Sequence, residues 1–145
     1  MFKSILFPTD GSELSEKATA TAVQFAALNH ARIVGITVVQ PFPVTPISDA
    51  GVVVEIGDFA VQMQEAAREH IDKLAAAAQI AGVPFEGIIS TSTVPFEEII
   101  EASKKFNCDI IIMATHGHTG LDKFLLGSQT DKVLSNTTLP VLVLR

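Results

Sequence analysis

The chain has 145 residues, 48% of them hydrophobic, a mean hydropathy of +0.39 and a formal net charge of -6. A chain of this length buries about two-thirds of its unfolded surface without staples, so one domain over 1–145 is expected. The acidic balance excludes a general nucleic-acid binder, which needs clustered Lys and Arg against phosphate, and the single cysteine, Cys108, excludes an internal disulfide and a cysteine-based zinc site.

The opening "MFKSILFPTDGSE" turns acidic by Asp10 and has no small-residue cleavage site, so it does not read as a signal peptide. No apolar run approaches ~18 residues, so no membrane span is expected and the cytoplasm is the expected compartment. Within that opening, "SILFPT" (4–9) reads as a first strand. In "SELSEKATATAVQFAALNH", Leu14, Ala18, Ala22, Phe25 and Ala26 recur at helical spacing and make one apolar stripe. "RIVGITVV" (32–39) is a second strand. "QPFPVTPISDAGVVVEIGD" (40–58), with three prolines and two glycines, reads as a long loop, either a lid or a tolerated surface insertion. A helix follows from about Phe59 to Ala81, with Met63, Ala67, Ile71, Leu74 and Ala78 on one face.

"FEGIISTS" (85–92) is a third strand. "PFEEIIEASKKF" is a helix with Pro95 at its start and Lys104 and Lys105 in its last turn. "DIIIMAT" (109–115) is apolar without alternation, as strands covered on both faces are. A short helix starting at Ser128, where Ser-Gln-Thr-Asp fits a capping box, leads to the last strand "LPVLVL" (139–144). The alternation β-α-β-α-β-α-β-α-β predicts an α/β fold, an open five-stranded parallel sheet with helices on both faces.

In such sheets ligands bind outside the carboxyl ends of the strands, near the point where strand order reverses. Only the loops after Thr9 and Thr115 are rich in groups able to hold a polar ligand. In "ATHGHTGLDKFLLGS" (114–128), Gly117 and Gly120 permit positive φ and close backbone approach, and Gly127-Ser128 opens a helix whose free N–H groups favour an anion. Spacing alone leaves two readings open, a phosphate site or two glycine-assisted turns with Ser128 as a helix cap. Asp10 likewise reads as a carboxylate for Mg²⁺ or a ribose hydroxyl, or as a helix cap completed by Glu13.

His116 and His118 flank Gly117 with only Asp122 nearby, which is too little for a metal site. His30 and His70 lie in helical patterns and read as structural or exposed. No GxxxxGK[ST] occurs, so none of Lys3, Lys17, Lys123 and Lys132 is assigned as a phosphate lysine. There is no paired-carboxylate or Ser-His arrangement, so no catalytic residue is named and the chain does not read as an enzyme. "GIISTST" has no aspartate, which sets aside a phospho-acceptor receiver domain.

Together, "ILFPTDGS", "DIIIMATHGHTGLDKFLLGSQTDKVL" and the terminal "LPVLVLR" closely resemble the universal stress protein family, over the whole chain. The ATP-binding members of that family carry Gly, two residues, Gly, nine residues, then Gly-Ser or Gly-Thr. Here Gly117 is followed by nine residues and then Gly127 and Ser128, while the first position is Ala114.

The resemblance implies a Rossmann-like fold of the adenine-nucleotide α-hydrolase type. It puts the phosphates and ribose against Ala114, Thr115, His116, Gly117, His118, Thr119 and Gly120, and against Gly127, Ser128, Gln129 and Thr130. It puts the adenine near Pro8, Thr9 and Val38, with Asp10 close to the sugar or to a Mg²⁺. The implied cofactor is ATP, or AMP or ADP. With His118 where relatives often have a basic residue, affinity is expected to rise as pH falls towards ~6. The implied assembly is a homodimer through Pro140, Val141, Leu142, Val143 and Leu144, and an uncovered apolar edge strand suits such pairing. The expected function is an ATP-binding, dimeric regulatory module of the stress response. The alternatives are a homodimeric scaffold that binds no nucleotide and a slow ATP hydrolase.

Overall fold

The computed structural model describes residues 1–41, 50–115 and 125–145, with the backbone alone for 50–56 and 125–128. The elements in order are β1 (Ser4–Pro8), α1 (Glu13–Asn29), β2 (Arg32–Val39), α2 (Ala50–Ile80), β3 (Phe85–Thr91), α3 (Pro95–Lys105), β4 (Ile110–Ala114), α4 (Leu125–Asn136) and β5 (Val141–Leu144). The five strands form one sheet in the order β3-β2-β1-β4-β5, and every pairing is parallel. The chain runs outward from β1 to β3 and then returns to build the other half, so strand order reverses between β1 and β4. That crevice is where an open α/β sheet offers a binding site.

Both faces of the sheet are covered. Helix α2 packs on β2, β3 and α1, while α3 and α4 pack on each other and on the central strands β1 and β4. Ile5, Leu6 and Phe7 of β1, Ile33 and Val34 of β2, and Ile111, Ile112 and Met113 of β4 are fully buried. This double burial is why these strands read as unbroken apolar runs. The edge strands differ: β3 and β5 are only partly covered. Along α1 the small residues Ala18, Ala22 and Ala26 face the core with Ser15 and Val23, while Leu14 and Phe25 lie at its margin.

Gly35 of β2 marks a close helix-to-sheet approach. A Cβ there would stand 2.7 Å from Leu74 Cδ2 of α2 and 2.9 Å from Phe85 Cε2 of β3. The absence of a side chain at 35 thus sets how closely α2 lies over the sheet.

Two boundaries correct the sequence reading. The expected loop 40–58 is shorter, because α2 begins at Ala50; residues 42–49 lie outside the described set. Proline excludes a helix interior, but glycine costs only ~1 kcal/mol, so Gly51 and Gly57 did not justify extending the loop past Pro46. Helix α4 begins at Leu125 rather than Ser128. Ser128 therefore lies within the helix, and its expected capping box with Asp131 is not formed as an N-terminal cap.

At the amino ends of the strands, the Asp109 carboxylate accepts hydrogen bonds from Lys3 N (2.8 Å) and Ser4 N (3.2 Å). Arg32 donates to Ser4 Oγ and to the Phe106 carbonyl, and the Ser4 hydroxyl reaches Cys108 Sγ at 3.6 Å. Burial pushes the Cys108 thiol pKa up, against the lowering effects of the Ser4 hydrogen bond and the Arg32 charge. These bonds tie the amino ends of β1, β2 and β4 together.

Candidate functional site

The opposite end is open. Beyond β1, Thr9 N donates to the Ile36 carbonyl at 2.9 Å and Thr37 Oγ1 donates back to the Thr9 carbonyl at 2.9 Å, so β2 holds the chain up to the turn. Gly11 then turns the backbone with φ at +73°, a value that favours glycine. Ser12 is the N-cap of α1, its Oγ accepting from Ser15 N at 3.2 Å. The expectation that Asp10 and Glu13 form the cap is thereby corrected. Glu13 instead pairs with Lys17 at the surface, 3.4 Å away.

Asp10 braces the cap from outside. Its Oδ1 accepts from Ser12 N and from Ser15 Oγ, both at 2.9 Å. Its Oδ2 is buried and has no hydrogen-bond partner among the described residues. One oxygen of this carboxylate is thus structural.

His70, read from the sequence as structural or exposed, comes to this end from the middle of α2. Its ring lies where a side chain at 11 would be, with Nε2 only 2.0 Å from the position of a Cβ on Gly11. Its Nδ1 is buried and unpartnered among the described residues. The one sequence signal was its place beside Ala67, Ile71 and Leu74, which line the buried stripe of the helix. A polar residue flanking such a stripe invites the question of what it faces.

Asp10 and His70 line one pocket of about 280 Å³, together with Val38 of β2 and with Met63, Ala66 and Ala67 of α2. On the other side of the His70 ring is a second pocket of about 330 Å³, lined by Thr9, Gly11, Glu16, Thr19, Lys73 and Leu74. Lys73 and Glu16 pair across its mouth at 3.1 Å. A narrow crevice of about 20 Å³ runs over the strand ends and gathers Pro8, Thr9, Asp10, Val38 and Gln129. Five residues expected at the site from separate parts of the chain thus border one gap.

The β4 side is partly described. Ala114 is the last residue of its strand, buried, paired with Leu144 and without positive φ, so its methyl group adds no backbone strain. Thr115 N donates to the Leu144 carbonyl at 2.8 Å. In α4, Gln129 and Thr130 are buried, and the Gln129 Oε1 accepts from Phe96 N at 3.2 Å. That bond serves the first turn of α3, whose N-cap residue Val94 has no side-chain bond of its own. The side chain of Gln129 is therefore used between helices. Gly127 and Ser128 lie in the first turn of α4. His116, Gly117, His118, Thr119 and Gly120 lie outside the described residues, as does Asp122.

Among the described residues no three His, Cys, Asp or Glu side chains gather to hold a metal, and no helix is long and apolar enough to cross a membrane. Chemically, this end of the sheet offers an apolar slot that Asp10 and His70 help to line. Beside it stands the first turn of a helix. Such a site suits a flat, largely apolar ring that carries a few polar atoms and leads to a more polar tail.

The family model for the universal stress protein family matches residues 1–145. Universal stress protein MJ0531 of Methanocaldococcus jannaschii is 33% identical over 145 residues, covering 100% of this chain and 83% of that protein. The solved structure of MJ0577 of the same organism superposes with a TM-score of 0.80 at 30% identity, covering 99% of this chain and 96% of the other. A universal stress protein solved in complex with cAMP shares the fold, with a TM-score of 0.72 at 23% identity over 99% of this chain and 96% of that one.

Proposed function

The chain belongs to the universal stress protein family, and on that premise we propose that it is a homodimeric regulatory module of the stress response that binds an adenine nucleotide. The observation that carries the reading is the pocket of about 280 Å³ at the carboxyl end of β2, beside the reversal of strand order, with Asp10 and His70 among its lining residues. Apolar walls from Val38, Met63, Ala66 and Ala67 suit the faces of a purine base. The ribose and phosphates run across the strand ends towards Ala114 and Thr115, the segment His116 to Gly120, and the first turn of α4 with Gly127 and Ser128. Free N–H groups at a helix start favour phosphate there. A nucleoside monophosphate such as the cAMP held by a relative is of the same chemical class. The half-covered edge strand β5, with Val141, Leu142, Val143 and Leu144, supports pairing with a second copy.

The test starts with release of any co-purified nucleotide, followed by calorimetric titration with ATP, ADP, AMP and cAMP, with and without Mg²⁺. Micromolar binding is expected, weakened about tenfold or more by Ala66→Phe, which fills the slot, and by Gly127→Val, which crowds the phosphate end. No heat with any of the four, and no endogenous nucleotide, would sink the reading and leave the dimeric scaffold.

A further inference from the structure

The groove between α1 and α2 holds a cavity of about 330 Å³. Glu16 and Thr19 line it from α1, Lys73 and Leu74 from α2, and Thr9 and Gly11 from the chain before α1. His70 stands at its border with the slot beside Val38 and lines both. That slot takes its α2 wall from Met63, Ala66 and Ala67, whereas the groove uses Lys73 and Leu74, one turn beyond His70. The two cavities thus follow one another along α2. We propose that the groove is a second binding site, for a small zwitterion of the class of a free α-amino acid with an apolar side chain. The inference stands without the nucleotide reading.

The charges carry the argument. Glu16 Oε1 and Lys73 Nζ meet at 3.1 Å across the groove, from helices that place them 57 residues apart in sequence. Both side chains are exposed, and an exposed ion pair adds little to stability. Opening this pair therefore costs little. A molecule that carries both charges gives each residue a new partner, its carboxylate for Lys73 and its ammonium for Glu16. A molecule with a single charge leaves one of the two without a partner. The ion pair thus favours a zwitterion over either half of it.

The neutral groups agree with that polarity. Thr19 lies one turn after Glu16 on α1, on the same side of the helix. Its hydroxyl donates to the Ser15 carbonyl at 2.9 Å, which commits the proton and leaves the oxygen to accept from an N–H. The α1 wall therefore accepts and the α2 wall donates, which fixes the orientation of the ligand. Leu74, next to Lys73, supplies the apolar surface for a hydrocarbon side chain. A volume of about 330 Å³ lies at the small end of the ~300–1,000 Å³ of ligand pockets and suits a small molecule. The Glu16 charge opposes phosphate groups, so the groove does not suit a second nucleotide.

The experiment titrates the full chain, labelled with ¹⁵N, with three probes of one carbon skeleton and follows the backbone amide resonances. L-valine carries both charges, L-valinamide only the ammonium, and isovalerate only the carboxylate. Valine should shift the amides of Gly11, Glu16, Thr19 and Lys73 saturably, with a dissociation constant on the order of 1 mM. Valinamide and isovalerate should each bind about tenfold or more weakly than valine. Lys73→Gln and Glu16→Gln change exposed side chains and should fold as the wild type does. Lys73→Gln should weaken valine about tenfold and leave valinamide unchanged, while Glu16→Gln should weaken valine and leave isovalerate unchanged. Thr19→Val, which keeps the shape and removes the hydroxyl, should weaken valine about fivefold. No saturable shift at these amides with valine, or equal affinity for all three probes, overturns the inference. The ion pair is then only a clasp between two helices.

Discussion

Gly35 and Leu74 make a prediction about how α2 is held over the sheet. A methyl group at 35 would stand 2.7 Å from Leu74 Cδ2 and 2.9 Å from Phe85 Cε2, well inside the ~3.5–4.0 Å of a normal carbon contact. Leu74 is 1% exposed, so it has no solvent side to swing into. Gly35→Ala therefore overpacks the site at a cost of ~1–3 kcal/mol, partly offset by ~0.5–1 kcal/mol from the stiffer unfolded backbone. Leu74→Ala errs the other way and leaves a cavity, at a cost of ~2–5 kcal/mol. In the double variant the new methyl enters the space that Leu74 vacates, while its contact with Phe85 remains. The double variant should thus be more stable than the sum of the single effects by about 1 kcal/mol. Urea unfolding followed by circular dichroism, with unchanged denaturant slopes, measures all four corners of the cycle. Effects that add to within ~0.5 kcal/mol would refute the contact. With it would go the helix register that sets His70 one turn before Leu74, over Gly11.

Two further predictions concern other parts of the molecule. Burial raises the Cys108 thiol above its ordinary 9.0 in the folded chain, so at alkaline pH the unfolded chain gives up this proton first. Stability from this source is intact below pH 9 and falls as pH rises through the folded value. Between pH 8 and 10 the wild type should lose more unfolding free energy than Cys108→Ala, and parallel losses would refute it. At the sheet edge, where Val143 is half-covered, a charge should block pairing of β5 with a second copy. Val143→Lys and Val141→Lys are each expected to sediment as monomers, and unchanged sedimentation of both would dismiss the dimer interface.

Much of the architecture was legible because burial leaves a direct imprint on composition. "RIVGITVV" and "DIIIMA" are apolar on both faces because helices cover both faces of β2 and β4. Pro95 and the Lys104-Lys105 pair mark the two ends of α3 where proline and cations are favoured. The ends of α2 and α4 were harder to read, because glycine weakens a helix without forbidding it. In "PTDGSELS" several residues can cap a helix. Ser12 takes the role in place of Asp10 because the turn at Gly11 brings Ser12 Oγ to Ser15 N.

The order of strands and helices, the parallel sheet and the polar segments after Thr9 and Thr115 were readable from local periodicity and turn chemistry. The tertiary structure alone decided which of those groups meet. Among the described residues Asp10 Oδ2 has no partner, because Ser12 and Ser15 bond only to Oδ1. His70 reaches the strand ends because α2 lies close over Gly35 and because Gly11 leaves room for its ring. Gln129 spends its side chain on α3 because two helices distant in sequence pack side by side. Such pairings depend on distances across the crossover connections, and residue spacing along the chain carries no record of them.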